Sequence, residues 1–221
     1  MSLWWRLVRF GFWLLYNPLA FTYDWVSSLV SFGAWKSWGA AALGYVNADG
    51  VILELAHGTG HLQLEMTARG WRTVGFDLSQ SMGQITRRRL LQQGRAALLV
   101  RGMAQRLPFA AGSFSSVVST FPTDFITAEE SLAEISRVLM LDGNLVIVPT
   151  AIFTGGGAAR RVLEFAYRIT GQRVDEPSSE MENYIRDHWH GLFERHGFSL
   201  RIARVPCKRS EAIVLIAGKQ V

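Results

Sequence analysis

Cysteine is almost missing from this chain. Cys207 stands alone, so no internal disulfide can form, and the usage fits a reducing compartment. Charge is sparse as well, at 19% of 221 residues, and there are no repeats or low-complexity tracts. The one glycine-containing loop after an apolar run, "ELAHGTGHL" (54–62), lacks the lysine of a triphosphate-binding G-K-[ST] loop. It also lacks the third glycine of the dinucleotide fingerprint, because Gln63 stands in that place. Both absences argue against a phosphate cradle.

Aromatic residues, by contrast, are plentiful and unevenly placed. The chain has eight Trp, of which Trp4, Trp5, Trp13 and Trp25 fall in the first 30 residues, with Trp35 and Trp38 close behind. The opening "MSLWWRLVRFGFWLLYNPLAF" is not a secretory signal: Arg6 and Arg9 interrupt the apolar stretch, no small-x-small cleavage site follows, and Pro18 ends the run. For the same reasons it is a poor membrane span. On a helix, Arg6 and Arg9 share one face, and Leu3, Trp4, Leu7, Phe10 and Leu14 cover the rest. A narrow basic stripe on an apolar, aromatic helix is the pattern of a segment lying in a membrane interface. A lid packed on the domain, or a dimer contact, is the alternative. The formal net charge of +5 points to an acidic partner, such as an anionic membrane or nucleic acid. No interleaved basic–aromatic motif supports nucleic acid. The expected location is cytoplasmic, with peripheral contact to the inner face of a membrane through residues 1–20. The oligomeric state is left open.

From residue 51 the chain alternates. Strands are expected at 51–55, 72–78, 96–102, 115–121 and 145–150, and helices at 61–70, 79–94 and 128–141. In the last helix Leu132, Ile135, Val138 and Leu139 form one apolar stripe, and "DGN" (142–144) reads as the turn that follows. "FSLRIARV" (198–205) and "EAIVLIAG" (211–218) read as a terminal antiparallel pair. The predicted fold class is α/β, a Rossmann-like seven-stranded, mostly parallel sheet with a C-terminal antiparallel hairpin. Residues 1–45 are expected to form a helical arm or lid, and residues 46–221 the domain. Ligands of such folds bind at the C-terminal ends of the strands.

What remains in the loop is acid-x-x-x-Gly-x-Gly: Glu54, Gly58 and Gly60. A carboxylate there suits a cationic ligand rather than a phosphate. Asp77 closes the second strand, where an acid can accept both hydroxyls of a ribose. A ribose, a positive group and no phosphate describe S-adenosylmethionine. The ordered segments "VILELAHGTGHL" (51–62), "VGFDLSQSM" (74–82), "AQRLPFAAGSFSSVVSTF" (104–121), "LAEISRVLMLDGNLVIV" (132–148) and "LFERHGFSL" (192–200) resemble those of the class I S-adenosylmethionine-dependent methyltransferases. "YDWVSSLVSFGAWKSW" (23–38) resembles the N-terminal signature of the ubiquinone and menaquinone biosynthesis C-methyltransferases.

The resemblance implies that Glu54, Ala56, His57, Gly58, Thr59 and Gly60 surround the methionine part of the cofactor. Asp77 takes the ribose, Leu78 and Met82 flank the adenine, and Met103 and Ala104 border its edge. Tyr23 reaches the methionine carboxylate with Trp38 nearby, and Thr120 faces the transferable methyl. S-adenosylhomocysteine would be the product of in-line methyl transfer. Met103 stands where relatives often carry an Asp, so the adenine amino group would depend on backbone, Gln105 or water. Ser115 likewise replaces a frequent Asp, and Ala56–His57 a common Gly-Cys. His57 is read as a positional variant that packs under Tyr23 or Trp38 or meets the carboxylate.

"TFPTDFI" and "VPTAIF" differ from the quinone enzymes' acceptor segments, so a quinone headgroup is not implied. The expected acceptor is an apolar small molecule or lipid-like species, such as an isoprenoid. A soluble O- or N-methyltransferase and a non-catalytic cofactor-binding module are the alternatives. Candidate catalytic groups are Asp124 as base, or instead as a helix cap near Thr127, together with Tyr23 and His188. His188 and His190, two apart, do not share a helix face, so no metal site is expected. "FTGGGAARR" (153–161) is a candidate acceptor lid or linker. The basic run "TRRRLL" (86–91) reads as a solvated face, or as an extension of a membrane-facing surface.

Overall fold

A computed structural model describes residues 3–154 and 178–220. Three helices lead in: α1 (Leu3–Tyr16), α2 (Tyr23–Val30) and α3 (Trp35–Ala40). Then β1 (Val51–Leu55), α4 (His61–Ala68), β2 (Arg72–Asp77), α5 (Gln80–Gln92), β3 (Leu98–Arg101) and β4 (Phe114–Thr120) alternate. The chain continues with α6 (Glu129–Val138), β5 (Leu139–Phe153), α7 (Ser178–Arg195), β6 (Phe198–Cys207) and β7 (Ser210–Lys219). The sheet has seven strands in the order β3-β2-β1-β4-β5-β7-β6. The pairs β1–β2, β1–β4, β2–β3 and β4–β5 are parallel, and β7 runs antiparallel to both its neighbours. This is the α/β architecture expected from the alternation.

Helices cover both faces, so the central strands β1 and β4 are buried along nearly their whole length rather than on alternate residues. Ile52, Leu53, Leu55, Val117, Val118 and Val146 are fully buried. The serines of β4 are tolerated in this interior because each is bonded: Ser119 Oγ donates to Leu55 O at 2.9 Å, and Ser115 Oγ to Asn47 O at 2.8 Å. Ser115 also has a steric reason. A Cβ on Gly50 would lie 2.8 Å from its side chain, so the glycine leaves room for it.

One expected boundary is corrected. The α6 helix stops at Val138, and Leu139 already pairs with Phe114 as the start of β5. The "DGN" turn is an irregularity within that strand, where the register shifts between Phe114 and Ser116 and Asp142 takes a φ of 62°. Regular pairing with both neighbours is in place from Asn144, opposite Ser116 and Gly218. Most of the glycine-rich segment 153–161 lies outside the described residues.

The arm ends in the core. Trp38 is fully buried, donates from Nε1 to Ser210 Oγ at 2.8 Å, and packs among Trp35, Phe121 and Phe153. Among the described residues, no helix is long and apolar enough to cross a membrane.

Candidate active site

The β1–α4 loop turns through left-handed backbone at Ala56 (φ 55°), Gly58 (54°) and Gly60 (79°). Gly60 is held to glycine by space as well, since a Cβ there would lie 2.3 Å from Thr86 Cγ2. Ala56, like Phe121 (φ 50°) at the end of β4, adopts this conformation despite its Cβ. Such strain persists where surrounding bonds fix the chain. Here Ala56 N donates to Phe76 O and Phe121 N to Val148 O, both at 2.7 Å.

Two adjoining cavities open at this edge of the sheet. The larger, of about 620 Å³, is lined by Tyr23, Ala56, Gly58, Asp77, Leu78, Met82, Met103, Ala104 and Thr120, with Tyr16, Phe76 and Phe121 among the other walls. The smaller, of about 320 Å³, adds Glu54, His57 and Thr59, and shares Tyr23, Ala56, Gly58, Thr120 and Phe121 with the first. Small-molecule sites fall in roughly this range of volume.

The acids differ in setting. Asp77 accepts from Gly58 N at 2.9 Å and from Ser79 N at 2.7 Å, bracing the glycine loop and the entry to α5. Each carboxylate oxygen keeps a second lone pair for a ligand. Ser79 caps α5 through Met82 N, as its position suggested. Glu54 is 1% exposed, and its Oε2 has no hydrogen-bond partner. Burial pushes its carboxyl up to about 8, against a smaller lowering from the Gln63 amide. Gln63, in the third-glycine position, is itself fully buried. Its Oε1 accepts from Thr73 at 2.8 Å, while its Nε2 has no partner. A buried, unpartnered carboxylate oxygen beside a cavity is costly without a cation. This chemistry fits an ammonium in the smaller cavity and a ribose at Asp77, as in S-adenosylmethionine.

His57 lines the smaller cavity together with Tyr23. Its Nδ1 lies 2.9 Å from Gly58 O and 3.2 Å from Thr86 Oγ1, and its ring crowds Gly75. Burial lowers its pKa, which favours the neutral ring.

Two candidate catalytic residues fall outside both cavities. Asp124 opens an exposed 3₁₀ turn after β4, whereas its neighbours Thr123 and Phe125 line the larger cavity. It is not the expected cap either, because Ala128 precedes α6 without a side-chain bond. His188 is exposed on α7, which packs against β6 through Phe193 and Phe198, well away from the glycine loop. His190 pairs with Glu194 at 3.2 Å. Among the described residues, no His, Cys, Asp and Glu cluster could hold a metal ion.

The structure adds residues that sequence reasoning missed. Tyr16, at the end of α1, lines the larger cavity, and its backbone oxygen accepts from Ser79 Oγ at 2.5 Å. Burial, with a smaller contribution from the Asp77 charge, pushes its phenol up to about 12. Burial raises Tyr23 further, with Tyr16, Asp24 and Asp77 adding to the effect. Both hydroxyls are therefore hydrogen-bond donors, not bases. Asp24 accepts from Thr59 Oγ1, lies 3.0 Å from His61 Nε2, and pairs with Arg89. The only hint of this knot in the sequence was the Tyr-Asp pair, and its partners lie 35 to 65 positions away.

Comparison with known proteins agrees with this geometry. Residues 52–143 match a family model described as a methyltransferase domain. Over 139 residues the chain is 35% identical to the demethylmenaquinone methyltransferase of Thermus thermophilus, covering 61% of this chain and 63% of that protein. It is 31% identical over 142 residues to the ubiquinone/menaquinone biosynthesis C-methyltransferase UbiE of Geotalea uraniireducens, covering 61% and 60%. The chain thus spans less than two thirds of the length of these relatives. Among solved structures, a putative methyltransferase from Bacillus halodurans matches with a TM-score of 0.58 at 16% identity, covering 82% of this chain and 98% of that one. The geranyl diphosphate C-methyltransferase of Streptomyces coelicolor, solved with S-adenosyl-L-homocysteine, matches with 0.54 at 15% identity, covering 85% and 79%. Residues 52–143 thus match a methyltransferase domain, the fold is that of solved methyltransferases, and over part of its length the chain is similar to the ubiquinone and menaquinone biosynthesis C-methyltransferases.

Proposed function

We propose that this chain transfers the methyl group of S-adenosylmethionine to an apolar small-molecule acceptor, such as an isoprenoid or another lipid-like species, at the surface of a membrane. The observation that carries the cofactor is the buried, unpartnered Glu54 carboxylate opposite a cavity floored by Asp77. Glu54 holds the ammonium, Tyr23 the carboxylate, and Asp77 the ribose. Leu78 and Met82 sandwich the adenine. The cofactor supplies an activated methyl on a sulfonium, delivered in line to the acceptor.

The protein's part is positioning and the exclusion of water. Phe121, Phe125 and Trp13 give the remaining wall of the larger cavity an apolar surface suited to a hydrocarbon body. Relatives that act on quinone precursors, and a structural neighbour bound to geranyl diphosphate, are consistent with such an acceptor. The membrane reading is supported by the arm. Leu7, Phe10, Phe21, Trp25, Leu29 and Phe32 are each more than half exposed, and Arg6 and Lys36 are exposed on the same segment. Isolated surface apolars are ordinary, but a cluster of this size marks an interaction surface.

The test has two arms. Calorimetry should detect S-adenosylhomocysteine binding that Asp77→Ala abolishes. Labelled methyl should pass from S-adenosylmethionine into the organic-soluble fraction of a lipid extract. Label that appears only in water-soluble products would favour a soluble O- or N-methyltransferase, and binding without any transfer would favour a non-catalytic module.

A further inference from the structure

The arm carries two faces with different chemistry. Inward, Tyr16, Asn17 and Tyr23 line the larger cavity, and Tyr16 is tied to Ser79, two residues past Asp77. Outward, Phe21 and Trp25 are 73% and 72% exposed, and they sit on the same short stretch as Tyr23. The link to the domain is specific. Asp24 joins the arm to Thr59 of the glycine loop and to Arg89 of α5. Its neighbours Arg87 and Arg88 on α5 are exposed, as are Arg6 and Lys36 of the arm segment, and the Ala20–Thr22 turn that carries Phe21 packs on α5. Thus one Arg of the basic run is used to grip the arm, and two face solvent.

The placement that brings Tyr16 and Tyr23 into the cavity is the same one that turns Phe21 and Trp25 to solvent. Resting on the membrane reading above, we propose that the arm's partner is an anionic phospholipid bilayer, and that bilayer binding and cofactor binding are coupled through the arm. Aromatic side chains at headgroup level and basic groups near anionic lipid are the forces such a surface supplies. A bilayer that holds the arm in place removes part of the ordering cost of closing Tyr16 and Tyr23 over the cofactor. Thermodynamic reciprocity then requires bound cofactor to strengthen bilayer binding by the same factor.

The experiment uses the full chain and S-adenosylhomocysteine, without turnover. Its affinity is measured by calorimetry with no vesicles, with phosphatidylcholine vesicles, and with phosphatidylcholine–phosphatidylglycerol vesicles. Flotation of the chain on the same vesicles is measured with and without S-adenosylhomocysteine. The expected result is at least about fivefold tighter S-adenosylhomocysteine binding on anionic vesicles, with an equal gain in flotation when it is present. Phe21→Ser combined with Trp25→Ser should retain the vesicle-free affinity and lose the gain. Equal affinity with and without vesicles, on a chain that floats, overturns the coupling and leaves the docking intact. A chain that does not float overturns both. A chain that floats but binds no S-adenosylhomocysteine overturns the coupling together with the cofactor reading.

Discussion

Asp24 in α2 accepts a 2.5 Å hydrogen bond from Thr59 in the glycine loop, so the arm and the cofactor loop share one carboxylate. Burial alone would raise the Asp24 pKa, but bonds from His61, Thr59 and Arg89 outweigh it and hold the carboxyl well below the usual carboxylate range.

Asp24→Ala should therefore loosen the arm and leave the Arg89 guanidinium with its bond to Thr59 O but without the carboxylate. The group is partly solvated, so the expected cost is about 1–2 kcal/mol, between exposed and buried pairs. Urea unfolding checks it. The sign with pH follows from the lowered folded pKa. The contribution is present above the unfolded Asp value and fades as pH falls through the folded value. The stability difference between wild type and Asp24→Ala should be flat from neutral pH down to about pH 5 and shrink only below about pH 4. A difference that already shrinks at pH 6 would show that Asp24 is not the titrating group.

Glu54 predicts a linked proton. Its folded pKa of about 8 leaves it mostly protonated at pH 7, and a bound ammonium favours its ionised form. Binding of S-adenosylhomocysteine at pH 7 should release protons, seen as a heat that varies with the ionisation enthalpy of the buffer. Glu54→Gln should abolish the release and weaken binding by about tenfold or more. In the free chain the raised folded pKa means that stability is fully present below the unfolded value near 4.5 and declines as pH rises through about 8. Glu54→Gln should flatten that decline, which thermal melts across this pH range would show.

Gly102 tests the adenine end of the cavity. A Cβ there would lie 2.6 Å from Cζ of Phe76, whose ring lines the cavity. Gly102→Ala should displace that ring, lower stability by about 1–3 kcal/mol and weaken S-adenosylhomocysteine binding. Adding Phe76→Leu should restore part of the binding, a coupling that a double-mutant cycle measures. Additive losses would show that the ring is not the group that moves.

Asp124→Asn and His188→Gln should change little. Both side chains are exposed and line neither cavity, so methyl incorporation into lipid extract should stay within about twofold of wild type. A loss of a hundredfold for Asp124→Asn would return it to the role of general base.

The sequence by itself determined the alternation of strands and helices, the turn at Gly58 and Gly60, and the acids that end the first two strands. These are local matters: apolar runs of strand length, a Ser cap, and backbone that needs φ above zero all lie within a few residues of each other. At 142–144 the turn signal survives as an irregularity inside β5: Asp142 takes a φ of 62°, and pairing with both β4 and β7 is in place from Asn144. Only the tertiary structure decided which side chains meet across the chain. It brought Asp24 to Thr59 and Arg89, and Tyr16 to the ribose end. It set the His57 ring beside Thr86 and left Asp124 in solvent. Gln63 shows the division most clearly. Its place in the sequence excluded a third glycine, but only the fold buried it near Glu54 and bonded it to Thr73. A local pattern fixes periodicity and turns, whereas contacts between residues tens of positions apart depend on how helices pack on the twisted sheet.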